Sequence, residues 1–155
     1  MLDQLGQYAL FEGLSGDDLQ LAAPLFSSLE VPAGTILFEQ NRAAELFYLI
    51  VDGRITLRYK PIDGPEMRLS SVPAGGAVGW SAVTGNPTYT ATAITALPSE
   101  LLVVRGSDLR LLLVEHPETG QRLLKRLAMA VSPRWERAYN QVIDLIAQSL
   151  ESYPH

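Results

Sequence analysis

The stretch Gly75 to Thr95 reads GGAVGWSAVTGNPTYTATAIT, and its texture decides what kind of fold surrounds it. A glycine pair opens it, Ser81-Ala82-Val83 suits one helical turn, and Thr84-Gly85-Asn86-Pro87 carries turn chemistry. From Thr88 the run is rich in β-branched residues and has period two. Thr88, Thr90, Thr92 and Ile94 fall on one face, and Tyr89, Ala91, Ala93 and Thr95 on the other. A glycine corner, a helical turn and a strand with a small-residue face predict a pocket. Backbone can approach a ligand closely at Gly79, and the first amides of the turn can face it. The stretch holds no charge: after Arg68 the next charged residue is Glu100.

Working outward, Ser28 to Arg105 consists of short apolar segments separated by turn signals. These are Pro32-Ala33-Gly34, Asp52-Gly53, Asp63-Gly64-Pro65, Pro73 to Gly76, Gly85-Asn86-Pro87 and Leu97-Pro98-Ser99. Such regular punctuation predicts a β sandwich or barrel. Leu46 to Lys60, broken at Asp52-Gly53, reads as its clearest hairpin, because Asp-Gly suits a primed turn. Upstream, Leu2 to Phe11 predicts a first helix. Ser15 reads as the N-cap of a second helix, with Asp17 and Asp18 in its first turn and its end near Phe26.

Helix returns after Arg105. Ser107 suits an N-cap, Leu109 to Val114 a buried segment, and Pro117 the first position of a further helix. Beyond it Leu124, Ala128, Val131, Trp135, Ala138, Val142, Leu145 and Ser149 recur at alternating steps of four and three, a heptad seam. Pro133 should kink or split that helix near Val131-Ser132. The seam either packs on the chain's own barrel or meets a second copy. With little chain left to cover it, a homodimer through the C-terminal helix is the expectation.

A chain of 155 residues with 47% apolar and 19% charged residues is long and apolar enough for one cored domain. Its net charge of −5 argues against clamping nucleic acid, and the absence of cysteine excludes disulfides and thiolate chemistry. The longest apolar run, Leu46 to Val51, is too short for a membrane span, and no leader is visible, so a cytoplasmic protein is expected. Only His116 and His155 are present, so no metal triad can form on the barrel and no metal or cofactor is expected. Gly79-Trp80-Ser81-Ala82-Val83 lacks the closing glycine of a nucleophile elbow, and Ser81 reads as a helix cap. Arg122, Lys125, Arg126, Arg134 and Arg137 make the long helix basic and read as a solvated face. No catalytic apparatus is visible.

Two blocks resemble one family. Gly34 to Phe38 followed by Glu45 to Ile55 is similar to the first half of a cyclic-nucleotide-binding domain of the catabolite-activator (CRP-FNR) type. Val78 to Val83, a five-residue gap, and Tyr89 to Ala93 resemble its phosphate-binding cassette. The resemblance implies an eight-stranded β-roll (double-stranded β-helix or jelly roll), mainly β with flanking helices. It would divide the single domain into N-terminal helices (1–27), roll (28–105) and C-terminal helices with a dimerisation helix (107–152). The implied ligand-binding positions are Val78, Gly79, Trp80, Ser81, Ala82, Tyr89, Thr90 and Ala91, with Arg134 and Trp135 as contacts from the long helix.

The departures are specific. Where the family carries a glutamate for the ribose 2′-hydroxyl, this chain has Trp80; where it carries an arginine for the cyclic phosphate, it has Tyr89. Asn41-Arg42 stands where the resemblance implies a glycine and an acidic or amide residue. Losing two charge-assisted hydrogen bonds removes about 3–6 kcal/mol. That corresponds to a factor of about 10²–10⁴ in affinity. The expectation is a non-catalytic regulatory sensor domain that is not a tight cyclic AMP or cyclic GMP binder. Another small ligand, met by Trp80 and Tyr89, is one outcome. A ligand-free homodimeric module that meets a protein partner, its pocket closed by its own aromatics, is the other. Only Asn140 to His155 follow the middle of the long helix, so no direct DNA binding is expected.

Overall fold

Eight strands form between Phe26 and Arg105 in the computed structural model, which describes residues 11–131 and 135–151 apart from the side chains at 69, 135–138 and 149–151. They are β1 (Phe26–Val31), β2 (Ile36–Phe38), β3 (Leu46–Asp52), β4 (Arg54–Tyr59), β5 (Met67–Pro73), β6 (Ala77–Val78), β7 (Thr92–Thr95) and β8 (Ser99–Arg105). Two four-stranded antiparallel sheets result, ordered β1-β8-β3-β6 and β2-β7-β4-β5. This is the eight-stranded roll expected from the sequence.

The apolar run of β3 follows from where it sits. Phe47 and Leu49 join the core shared with the helices, whereas Tyr48 and Ile50 join the core inside the roll. β8 repeats the pattern, with Leu102 and Val104 on one side and Leu101 and Val103 on the other. Period-two geometry sends successive side chains to opposite faces, so a strand covered on both faces loses its polar alternation.

One expected hairpin is corrected. β3 and β4 do not pair; they lie in different sheets, and Gly53 turns the chain from one to the other. It does so at φ 109°, where a Cβ would come within 2.7 Å of the Ser99 Cβ and 2.8 Å of its Cα. Glycine is required here for a corner between layers, a need that Asp-Gly cannot distinguish from a primed turn. The paired ribbon is instead β4–β5, across the turn containing Asp63-Gly64-Pro65.

The helices are α1 (Gly16–Ala22), α2 (Trp80–Thr84), α3 (Gly106–Glu115), α4 (Pro117–Val131) and α5 (Trp135–Glu151). The helix expected at Leu2 to Phe11 lies almost wholly outside the described residues. Ser15 caps α1 in a reciprocal box with Asp18, each backbone N–H donating to the other side chain at 3.1 Å. The helix stops at Ala22, short of Phe26, because Pro24 imposes a tighter turn over Ala23–Leu25 and Phe26 opens β1. Ser107 is not a cap: α3 starts one residue earlier, where Gly106 lies so close to the Ala82 backbone that a Cβ would collide with it. Within α3, Leu109, Leu112 and Leu113 are buried while Leu111 and Val114 face outward.

The long helix is split, with α4 ending at Val131 and α5 starting at Trp135. The two pack on each other, and the Lys125 ammonium sits 5.7 Å over the Tyr139 ring. Leu124, Ala128 and Val142 are buried within the chain, and Val131 and Leu145 are half-buried. The heptad stripe is therefore not one free face: splitting the helix lets its residues pack on their own domain. The side chains of Trp135, Ala138 and Ser149 lie outside the described residues.

Asp18 ties the N-terminal helix to this layer. Its carboxylate is buried and accepts two hydrogen bonds from Arg122, each 2.8 Å, and one from the Thr119 hydroxyl. The Arg122 guanidinium, aided by Thr119 and Ser15, holds the carboxyl well below the usual carboxylate range, outweighing the opposite effect of burial. Arg122 therefore has a definite partner and is not simply part of a solvated basic face.

Gly53→Ala should lower unfolding free energy in urea by about 2–4 kcal/mol through backbone strain plus overlap. Gly34→Ala, with φ 82° but open space around the new methyl, should cost only about 1 kcal/mol. Equal losses would remove the assigned role of Ser99. For Asp18, the folded pKa lies below the unfolded one, so its stabilisation is complete above the unfolded carboxylate range and fades as pH falls through about 4 toward 2. Asp18→Asn should be less stable by about 2–3 kcal/mol at neutral pH, with a flatter stability profile between about pH 5 and 3.

Candidate functional site

The cassette begins where β6 meets Gly79. This residue takes φ 94°, and a Cβ on it would lie 2.8 Å from the Leu46 carbonyl oxygen and 3.4 Å from the Phe38 ring. Glycine is needed for both the conformation and the close approach. The chain then enters α2 directly, so Gly79 occupies the cap position and Ser81 lies inside the helix. The Ala82 amide is already occupied by the Gly79 carbonyl at 3.0 Å. At the other end Gly85 (φ 79°) and Asn86 return their amides to the Ser81 carbonyl.

Arg110, which the sequence did not single out, completes the same C-terminal end of α2. Its guanidinium donates to the Ala82 carbonyl at 2.7 Å and the Val83 carbonyl at 3.2 Å, carbonyls that the helix itself leaves open. Burial pulls the Arg110 pKa down, but a cation at a helix C-terminus is favourably placed. The only sequence signal was an arginine interrupting an otherwise apolar helical run.

From Thr88 to Thr95 the expected alternation holds. Tyr89, Ala91, Ala93 and Thr95 are buried, while Thr88 and Thr90 are exposed and Thr92 and Ile94 half-buried. Regular pairing is shorter than expected, since β7 covers Thr92–Thr95 and Thr88 makes one bridge to Ala43. Asn41, at φ 71°, shapes the partner segment and donates its amide to the Tyr89 carbonyl; the Tyr89 amide in turn donates to the Arg42 carbonyl. Asparagine is one of the few residues with a side chain that tolerates this left-handed geometry.

Tyr89 itself turns into the roll. Its ring stacks on Phe38 with centroids 3.9 Å apart, and its hydroxyl accepts from the Leu46 amide (2.9 Å) and donates to the Leu46 carbonyl (2.7 Å). Burial pushes its pKa up, and it pushes that of the neighbouring Tyr48 up to about 12. One face of Tyr89 is therefore covered by protein. Trp80 stands edge-on to Phe47 at 5.5 Å and packs on the helix-side core, and its indole nitrogen is buried without a hydrogen-bond partner.

Beside these rings lies a cavity of about 230 Å³. Of the expected positions, Val78, Gly79, Trp80, Ser81, Tyr89, Thr90 and Ala91 line it; Ala82 is buried elsewhere. Sequence reading missed Phe38, Leu57, Ser70, Val72 and Val131, which reach the site from distant strands and from α4. Nothing lining it among the described residues carries a charge at neutral pH. Arg134 lies outside the described residues, as does the Trp135 side chain, and no metal-binding cluster is found among those described. No helix among them is long and apolar enough to cross a membrane.

The family model of the cyclic nucleotide-binding domain matches residues 28–116, more than half of the chain. The chain belongs to the cyclic-nucleotide-binding domain family. It is 26% identical over 119 residues to the cyclic AMP receptor protein of Thermus thermophilus, covering 77% of this chain and 55% of that protein. It is 22% identical over 142 residues to a CRP-like cAMP-activated global transcriptional regulator of Mycobacterium tuberculosis, covering 92% and 62%. Among solved structures, the Thermus thermophilus catabolite activator protein superposes with a TM-score of 0.65 at 25% identity, covering 89% of this chain and 62% of that one. A cyclic nucleotide-binding domain from Methylobacillus flagellatus gives 0.71 at 18% identity, covering 99% and 83%. The chain spans between 27% and 62% of the length of the curated relatives it matches.

Tyr89→Phe tests the closure. It removes the hydroxyl from both Leu46 backbone groups while keeping the stack on Phe38, and should lower stability by about 1–3 kcal/mol in urea titration. Thr90→Val, at an exposed position, should change stability by no more than about 0.5 kcal/mol.

Proposed function

We propose that this domain is a non-catalytic regulatory sensor whose cassette cavity does not hold cyclic AMP or cyclic GMP tightly and serves another small ligand. The observation that carries this is Tyr89. At the position the resemblance gives to the phosphate-binding arginine, a neutral ring is stacked on Phe38 with its hydroxyl tied to Leu46. A cyclic phosphate entering this cavity would leave water without meeting a cationic side chain in the described lining. Trp80, at the glutamate position, has no acceptor to offer a ribose hydroxyl, since an indole nitrogen only donates. What the names of the relatives say of cyclic AMP applies to those proteins.

The second reading, a ligand-free module closed by its own aromatics, draws on the same two rings. The cavity that remains beside them favours the first. A cytoplasmic location is part of the same proposal. Self-association through the C-terminal helices belongs to this reading only through residues the fold leaves uncovered, since Leu124, Ala128 and Val142 are already buried.

Isothermal titration should give no saturable heat with cyclic AMP or cyclic GMP at micromolar concentrations, and micromolar binding by the unmodified chain would sink the proposal. Trp80→Glu combined with Tyr89→Arg should raise affinity for cyclic AMP about 100-fold or more, as two charge-assisted contacts return. Far-ultraviolet circular dichroism of that variant checks that the roll is retained.

A further inference from the structure

The two layers of the roll present opposite charge. In the sheet β2-β7-β4-β5, Arg54, Thr56 and Arg58 alternate with Ile55 and Leu57, which point into the roll, so the arginines face outward. Arg58 lies directly opposite Arg68 on β5, and all three arginines are exposed. Arg54 donates to the Ser71 hydroxyl at 3.1 Å, and Arg58 meets Glu66 at 3.2 Å in a pair that solvent screens. No carboxylate among the described residues pairs with Arg68.

On the other sheet the sign reverses. Glu100 shares the outer face of β8 with Leu102 and Val104. Its cross-strand neighbours are Glu30 on β1 and Asp52 on β3, and the three line an open groove with Pro32 and Pro98. None of these carboxylates has an ion pair among the described residues. Like charges placed directly opposite in a sheet repel, so each patch is unfavourable by itself and each would be relieved by the other. The patches also match in pitch. Arg58–Arg68 and Glu30–Glu100 are both cross-strand pairs, and strand spacing sets each at about 5 Å. A guanidinium on its long stem can enter the groove and fork onto a carboxylate.

We propose that the Arg58–Arg68 face docks on the Glu30–Asp52–Glu100 row of a second copy of this chain. The contact does not depend on what the cassette cavity holds. Because the two patches lie on the outer faces of opposite layers, one copy uses both at once. Association therefore runs head to tail and does not close at a dimer. A face four strands wide covers roughly 300 Å² per copy, below the size of a standard interface, so the contact is weak and reversible.

Sedimentation equilibrium of the full chain, up to millimolar concentration, tests this. At about 20 mM sodium chloride the weight-average mass should climb continuously with protein concentration; at about 500 mM, where exposed charges are screened, the climb should vanish. A mass that does not respond to salt, whether it is that of one chain or of two, defeats the proposal. If the unresponsive chain instead binds poly-glutamate saturably, and Arg58→Glu with Arg68→Glu abolishes that binding, the face belongs to an acidic partner and the second copy is ruled out as its occupant.

Charge reversal separates this contact from any other. Arg58→Glu with Arg68→Glu makes both patches acidic, and Glu30→Lys with Glu100→Lys makes both basic. Each double variant alone should lose the salt-dependent climb. Mixed in equal amounts they should regain it, since each supplies the patch the other has reversed, and recovery also shows that both are folded. The neutral changes Arg68→Gln and Glu100→Gln perturb the fold less, and each should lower the association constant about two- to fivefold. A climb that persists in either double variant, or association unchanged by both neutral changes, would overturn the assignment. So would a mixture that stays inert while far-ultraviolet circular dichroism shows the roll intact in both components.

Discussion

The cassette hangs on the backbone of one residue, Leu46, at the start of β3. Gly79 approaches its carbonyl so closely that no side chain fits between them, and Tyr89 bonds both its amide and its carbonyl. Two segments ten residues apart are thereby fixed to one point at the start of a strand whose next four residues are all buried. The neighbouring Glu45 carbonyl receives the Gly106 amide, so the start of α3 is held to the same place. These contacts need the local geometry of β3 to be rigid, and its burial between two cores provides that.

From this anchor a continuous set of contacts runs outward. Trp80 spans from the cavity wall to Phe47 on the helix side. α2 is held at its carbonyl end by Arg110 of α3, and the turn after it touches α5, where a Cβ on Gly85 would lie 2.8 Å from Leu145. Val131, the last residue of α4, returns to the cavity wall. The cavity is therefore bounded by the same elements that position the C-terminal helices. A guest that shifted Trp80 or Val131 would act on α2 and α4 without any intermediate loop.

How much was legible in the sequence depended on whether a signal was local. The alternation from Thr88 to Thr95, the Ser15 cap and Pro117 as a helix start each rest on a few adjacent residues, and each appears in the fold. Asp52-Gly53 was legible as a glycine requirement but not as a corner, because the reason for it is Ser99 on another strand. Asp18 looked like an ordinary first-turn acid; nothing nearby announced Thr119 and Arg122, a hundred residues on. Within the cavity lining, the cassette positions came from the family resemblance of two short local blocks, while Phe38, Leu57, Ser70 and Val72 required the roll to be closed first.

The heptad stripe shows the same limit from the opposite side. Leu124, Ala128 and Val142 carry a correct helical period, and each is buried, but period alone does not say against what. A continuous helix would present them as one seam; a helix split between Val131 and Trp135 instead packs its two parts on each other and on α3. Val142 therefore shares a core with Leu109, Leu112 and Leu127. The same split leaves Val131 free to end α4 at the cavity. Covering the stripe and walling the site are thus two consequences of one break in the helix, and a change that restored continuity there would alter both together.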